Sequence, residues 1–235
     1  MRSARPAAAL VAAASALALA GCMPFVVTGP AASEEREVSA VTTVVLDTSG
    51  DLTITEGEPS LIIHAPEASL ERLTSEVRGD TLVLGVTPEP SVTLGRVRYE
   101  LSLPNLETIE LNGSGSVEAR VPSGDAVRID VDGSGEIDWS GLDTTRVEVR
   151  IAGSGDIELA GSTDELDVEL RGSGTVDADD LQARDAVVVL AGSGDIDVHA
   201  RDTLSATISG SGRIGYSGDP SVDANVSGSG DIAPN

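Results

Sequence analysis

The chain has 235 residues, room for one extended domain with a continuous core, and its 40% hydrophobic content includes only 2% aromatics. That core must therefore be built from Val, Ile, Leu and Ala, a list that favours strands. A net charge of −24, with 39 acidic against 15 basic residues, repels phosphate backbones and anionic lipid surfaces and excludes nucleic acid as a partner, while the single cysteine excludes an internal disulfide framework.

At the front, Arg2 and Arg5 precede an apolar run from Ala7 to Ala20 that ends in Leu19-Ala20-Gly21-Cys22. The charged start and short apolar stretch read as a secretory signal over residues 1–21, too short for a stable span. Its last four residues resemble the lipobox of bacterial lipoproteins, where cleavage leaves Cys22 first and lipidated. The chain's only cysteine falls there. Several acyl chains would hold the protein at a membrane, since each buried methylene contributes about 0.8 kcal/mol. An ordinary signal peptide with an incidental cysteine is the alternative. Residues 22–40, with Pro24, Gly29, Pro30 and Ser33-Glu34-Glu35-Arg36-Glu37, read as a tether.

Residues 41–104 form an irregular first part of the body. Val41 to Asp47 alternates toward Ser49-Gly50-Asp51-Leu52-Thr53-Ile54, a worn copy of a motif that turns regular later, with Thr48 where a leading glycine would stand. Leu46, Leu52 and Ile54 take its inward positions. Strand candidates follow at Leu61 to His64, Thr81 to Val86 and Val97 to Leu103. Between the first two, Leu70, Leu73 and Val77 fall at helical spacing and suggest a short helix over Glu67 to Val77. Arg78-Gly79-Asp80 then reads as a turn from helix to strand. It also spells an integrin-type tripeptide, a signal too short to outweigh the turn reading.

Residues 105–235 are regular. Gly-Ser-Gly begins at Gly113, Gly133, Gly153, Gly172, Gly192, Gly210 and Gly228, with neighbouring copies 18 to 20 residues apart. Such a period marks a stacked repeat. Four residues past each leading glycine stands Val or Ile, from Val117 to Ile232; two before it stands Leu, Val or Ile, from Leu111 to Val226. Apolar residues alternate on both sides, as in Val127, Ile129, Val131 and in Ile157, Leu159, the period-two mark of strands buried on one face. Parity across the motif points both glycines inward and the serine outward. That implies a corner too tight for an inward side chain, or one where a glycine takes positive φ. Coils stacked by parallel pairing about 4.8 Å apart would put each Ile or Val on its counterpart, which accounts for the uniform columns. The expected fold is an all-β solenoid.

The body resembles the bacterial head-GIN-domain family of putative auto-transporter adhesins. The residues that carry the likeness are Val77-Arg78-Gly79-Asp80-Thr81-Leu82, Leu101-Ser102-Leu103-Pro104-Asn105-Leu106 and units such as Gly153-Ser154-Gly155-Asp156-Ile157. It spans roughly Val41 to Ile232. The resemblance implies a right-handed parallel β-helix related in shape to pectin lyases, an envelope binding or adhesion role, and no catalytic residues.

Function is weighed on the outward side chains. A polysaccharide-cleaving enzyme is the alternative to a binding module, but fold shape alone is a weak warrant. Carboxylates recur as columns rather than as one convergent acid–base pair, and His64 and His199 fit no Ser/His/Asp pattern. Trp139 and Tyr216 fall on inward parity, leaving no aromatic platform for sugars. The serine column from Ser114 to Ser229 either meets a ligand or is small and bonds its own turn. Before the corner, Arg128 abuts Glu148 and Arg150 falls between Asp130 and Glu169, as charge pairs across coils. Val187 and Val189 make an apolar spot on the outward side.

After the corner, the outward side stacks Glu118, Asp138, Glu158, Asp177 and Asp197, the candidate ligand or cation face. A second acidic column holds Glu136, Asp156, Asp195 and Asp231, interrupted by Ser116, Thr175 and Arg213. Two readings stay open. The face is solvated and keeps the protein soluble, or divalent cations, calcium first among them, sit between carboxylates spaced about 4.8 Å apart and bridge to an acidic glycan. The repeat is not the calcium-binding nonapeptide, whose aspartate stands two after the last glycine, whereas Asp156 and Asp195 follow it directly. No other cofactor is expected. Partners are a membrane through the lipid on Cys22 and an envelope or extracellular protein or glycan.

Overall fold

A strand whose every second side chain is apolar has one dry face, and the repeat units bury it by closing each coil on itself and stacking the coils. The computed structural model describes residues 25–26, 29–87 and 92–235, so Cys22 and the signal segment lie outside the described residues. Its first elements are β1 (Phe25–Val26), β2 (Ala31–Arg36), β3 (Thr43–Leu46), β4 (Asp51–Glu56) and β5 (Ser60–Pro66), then one helical turn, α1 (Glu67–Leu70). Next come β6 (Leu73–Arg78), β7 (Thr81–Val86), β8 (Val92–Thr93) and β9 (Arg98–Leu103). The regular part runs through β10 (Leu106–Gly113), β11 (Ser116–Arg120), β12 (Ser123–Gly133), β13 (Glu136–Gly153) and β14 (Asp156–Gly172). It ends with β15 (Thr175–Gly192), β16 (Asp195–Gly210), β17 (Arg213–Ser217), β18 (Ser221–Gly228) and β19 (Asp231–Pro234). The fold is a parallel β-solenoid.

Each coil lies on the next in an unbroken column. Val131 pairs with Ile151, Ile151 with Leu170 and Leu170 with Leu190; Ile137 pairs with Ile157 and Ile157 with Val176. These side chains are at most 2% exposed, and each contributes about 1.5–3 kcal/mol by leaving water. Trp139, the largest of them, is fully buried in the same stack.

The two glycines of each corner are needed for different reasons. The first takes positive φ in all seven copies, from 129° at Gly228 to 151° at Gly192, and on Gly153 or Gly172 a Cβ would strike the carbonyl oxygen of the glycine beneath. The second faces the core: a Cβ on Gly135 would stand 2.5 Å from Leu111 Cδ2 and 2.6 Å from Gly115 O. Positive φ, one of the two expectations for the corner, is thus met at the first glycine and turns it along the stack, so inward parity holds only for the second. Backbone bonds then tie corner to corner, with Ser154 N–H to Gly133 O at 2.8 Å and Asp156 N–H to Gly135 O at 3.0 Å. Register never slips here. Differences in copy length are absorbed on the far side of the coil, between Ser140 and Leu142 and between Ala178 and Gln182.

The worn copy is a true coil. Leu46 pairs with Leu111, Leu52 with Val117 and Ile54 with Ala119, all buried. Gly50 leaves room there for the Tyr99 ring, whose Cε2 would be 2.7 Å from a Cβ. Burial pushes the Tyr99 phenol up to about 12, with the Arg36 charge and the Thr48 hydroxyl offsetting only part of the desolvation. The worn coil's other neighbour was not legible: β3 also pairs β7 and β4 also pairs β9. The chain therefore enters the stack at its second level and later lays β7 and β9 beneath that entry. Antiparallel strands close this end, β6 on β7 and β2 and β5 on β9 in turn.

Two expectations are corrected at this end. The helix over Glu67 to Val77 is only the turn α1, since Leu73 to Arg78 pairs with β7 and leaves Val77 39% exposed. Ladder bonds along six residue pairs outweigh a helical spacing supported by three side chains. Arg78-Gly79-Asp80 is accordingly a turn between two strands, with Gly79 at φ 68°. The tether reading extends to residue 40, whereas Ala31–Arg36 is strand β2 on the edge of the body. Arg36 fixes it there by donating to Leu73 O at 2.8 Å and Leu70 O at 3.0 Å.

Candidate binding faces

The Gly-Ser-Gly corner divides the outer wall into two faces of different charge. After the corner, Glu118, Asp138, Glu158, Asp177 and Asp197 pair coil to coil in one column, as the spacing predicts. Beside them run Asp51, Ser116, Glu136, Asp156, Thr175, Asp195, Arg213 and Asp231. Among the described residues charge is compensated at the margins: Arg120 reaches Glu118 at 2.8 Å, Arg213 reaches Asp197 at 3.3 Å and Arg96 reaches Asp51 at 3.4 Å. Asp156 Oδ1 accepts the Thr175 N–H at 3.0 Å, and Asp177 Oδ1 accepts the Asp179 N–H at 3.2 Å. Among the described residues, Glu136, Asp138, Glu158 and Asp195 have neither ion pair nor hydrogen bond on their side chains. A shallow groove lined by Asp51, Ser116, Glu118, Glu136 and Asp138 runs along this face.

The stacking sets limits on chemistry. Carboxylates in a row each face their neighbours along a line, and no three acids, histidines or cysteines among the described residues gather around one point. A calcium ion bound here would have to bridge successive coils rather than enter a ready cage.

Before the corner many of the acids pair with arginine. Arg128 Nε donates to Asp130 at 2.5 Å and its Nη1 to Glu148 at 3.2 Å; Arg146 binds Glu165 at 2.8 Å and also Asp167. The hydrogen bond to Asp130, ahead of the neighbouring acid charges, raises the Arg128 guanidinium further above its ordinary value. Arg150 does lie between Asp130 and Glu169 in register, but its ion pair goes to Glu148 on its own strand, and Glu169 pairs with Arg171 instead. Val187, 46% exposed, and Val189 form the expected apolar spot in a groove edged by Glu148, Arg150, Asp167 and Glu169.

The serine column stands at the corner itself. Ser114, Ser134, Ser154, Ser173, Ser193, Ser211 and Ser229 are all exposed. Their hydroxyls make no hydrogen bond among the described residues, so they do not bond their own turns.

Three further polar groupings lie off these columns; the first joins segments unrelated by the repeat, while His199 faces Ser217 and Asp185 faces Thr203 in register one coil apart. Ser33 Oγ lies 2.8 Å from His64 Nδ1, and His64 Nε2 lies 3.1 Å from Glu100 Oε1, off the hydrogen-bond direction. This row has the order of a nucleophile, base and carboxylate, but it lies on an open sheet with Glu100 63% exposed. Such a site lacks the exclusion of water that electrostatic catalysis needs. His199 Nδ1 lies 3.0 Å from Ser217 Oγ, which contacts Asp179 at 3.3 Å; Asn235 also binds Asp179, at 3.0 Å. The serine is the middle member there, so Asp179 does not orient the histidine. At the far bend, Thr203 and then Arg184 hold the Asp185 carboxyl below its usual range by donating to it.

The fold has solved counterparts. The structure of a putative adhesin from Bacteroides fragilis is similar with a TM-score of 0.85 at 23% identity, over 90% of this chain and 100% of that one. A putative lipid binding protein from Parabacteroides distasonis gives 0.74 at 27% identity, over 90% and 99%. A putative adhesin from Parabacteroides merdae gives 0.65 at 20% identity, over 90% and 99%. No protein of curated function matches. A family described as putative auto-transporter adhesin, head GIN domain, matches residues 40–220, most of the solenoid. The chain belongs to that family.

Proposed function

We propose that this protein is a cell-envelope lipoprotein, anchored through a lipid on Cys22, that displays its solenoid as a non-catalytic binding or adhesion module. The observation that carries the reading is the acidic column: Glu118, Asp138, Glu158, Asp177 and Asp197 stand in register on one wall, and among the described residues Asp138 and Glu158 at its middle meet no cation. Family membership supports an external partner, and the solved counterparts described as adhesins agree with it. The partner is an envelope or extracellular protein or glycan that offers cationic groups, or an acidic glycan reached through bridging calcium. A protein and glycan array probed with the soluble body tests this, and signal lost on mutating the acidic column is the expected result. For the anchor, mass spectrometry of the mature protein should find acyl chains on Cys22, and Cys22→Ser should leave an uncleaved precursor. Polysaccharide cleavage is the competing function; a lyase assay on acidic polysaccharides should give no product.

A further inference from the structure

The two ends of the solenoid are finished differently. At the first, the outer strands β2 and β6 carry Glu34, Glu35 and Arg36 and Glu76 and Arg78, charges that discourage pairing with another edge. At the second, β18 pairs with β16 on one side and with no strand of the described chain on the other. All eight of its residues are exposed. Val222 and Val226 are 39% and 43% exposed, although Leu204 and Ile208 directly beneath them are buried. Within the described chain the core columns run up to this edge and are uncovered there.

Charge is thinned at the same place. The acidic column continues past Asp197 as Gly215 and Ala233, and β18 holds a single charged residue, Asp223. The neighbouring strand β19 includes Pro234, which has no N–H to give a partner strand. That leaves β18 as the edge fit to pair. Its sequence, Ser221-Val222-Asp223-Ala224-Asn225-Val226-Ser227, reads almost the same in both directions. Antiparallel pairing with itself, centred on Ala224, sets Ser221 opposite Ser227, Val222 opposite Val226 and Asp223 opposite Asn225. Apolar residues meet on the core side, and each carboxylate meets an amide instead of another acid.

We propose that β18 is a self-association edge at which two copies of this chain join end to end about a two-fold axis at Ala224. Such an isologous contact closes after two copies and extends both cores through one shared sheet. The amino-terminal ends then lie at opposite poles. If the anchoring proposed above holds, that is the geometry of a contact between two opposed surfaces; the pairing itself does not depend on the anchor.

The test is sedimentation velocity of the full chain in mild detergent over a concentration series, with crosslinking as a second reading. A monomer–dimer equilibrium is expected. Asn225→Asp sets acid opposite acid twice and should raise the dissociation constant at least tenfold at low salt, with recovery at high salt and an unchanged monomer melting curve. Residues facing each other in an antiparallel pair have Cα atoms about 4.5–5.5 Å apart, within disulfide reach. Oxidised Ala224→Cys should therefore give a covalent dimer well above wild type, whereas Thr207→Cys, one coil below, should not. A chain that stays monomeric, with no excess crosslink from Ala224→Cys, overturns the proposal. A dimer indifferent to Asn225→Asp and uncrosslinked at Ala224→Cys overturns it as well, because the contact then lies elsewhere.

Discussion

The faces on either side of the Gly-Ser-Gly corner solve the same problem in opposite ways. Both are strand surfaces whose inward residues stack Val, Ile and Leu, and both place like positions one above another. Before the corner, arginines such as Arg128 and Arg146 interleave with acids from neighbouring coils, so the stacking of charge assists the ladder. After it, Asp138 lies beside Glu118 and Glu158 with no cation between them. At about 5 Å such neighbours repel by roughly 0.8 kcal/mol even in bulk water. A fold selected only for stability would not keep that column. The difference teaches that the interior supplies the stability of the solenoid, while its outward residues answer to other demands.

The sharpest way to break the contrast is to move one charge across the wall. Outward, Glu158 keeps its charge in water, but Ile157→Asp puts a carboxylate into a column with no polar partner and should unfold the body, as read by loss of the circular dichroism melting transition. Next is the corner that both faces share. Gly155→Ala brings a Cβ 2.7 Å from both Gly135 O and Val131 Cγ1 and should lower stability by about 2–3 kcal/mol in denaturant titration. On the acidic face the sign reverses. Asp138→Asn/Glu158→Gln should raise stability by about 1 kcal/mol at low ionic strength, a gain that fades as salt screens the column. If calcium bridges the coils, millimolar calcium should stabilise wild type more than magnesium does and lose that advantage in the double variant. Equal shifts from any salt would reduce the effect to screening. Smallest is the paired face, where Arg146→Met leaves Glu165 and Asp167 unanswered and should cost roughly 0.5–1 kcal/mol, again less at high salt.

Much of this was legible because stacking turns a three-dimensional contact into a fixed sequence offset. Leu111, Val131 and Ile151 meet because they share a place in the repeat, and the same logic exposed the acidic column and the worn coil at Leu46 to Ile54. Most of what is not legible lacks an offset; His199 with Ser217 and Asp185 with Thr203 have one but join unlike residues. Strands β7 and β9 lie beneath an earlier coil, and only their hydrogen bonding to β3 and β4 reveals it. The segment from Leu73 to Arg78 looked helical by its three apolar residues, yet the strand beside it decides its state. Ser33, His64 and Glu100 come from three strands whose antiparallel order at the closed end follows no repeat. Parity points both corner glycines inward, and the positive φ that the sequence offers as an alternative is what turns the first one along the stack.

If the acidic column serves binding and the fold does not need it, affinity and stability separate on mutation. The direct measurement is the affinity of Asp138→Asn/Glu158→Gln and of Arg128→Gln/Arg150→Gln for the partner that wild type captures on the array, with melting curves taken in parallel. The account predicts that the first variant melts no lower than wild type and binds at least tenfold more weakly, while the second keeps its affinity. Undiminished binding by the first variant would contradict it.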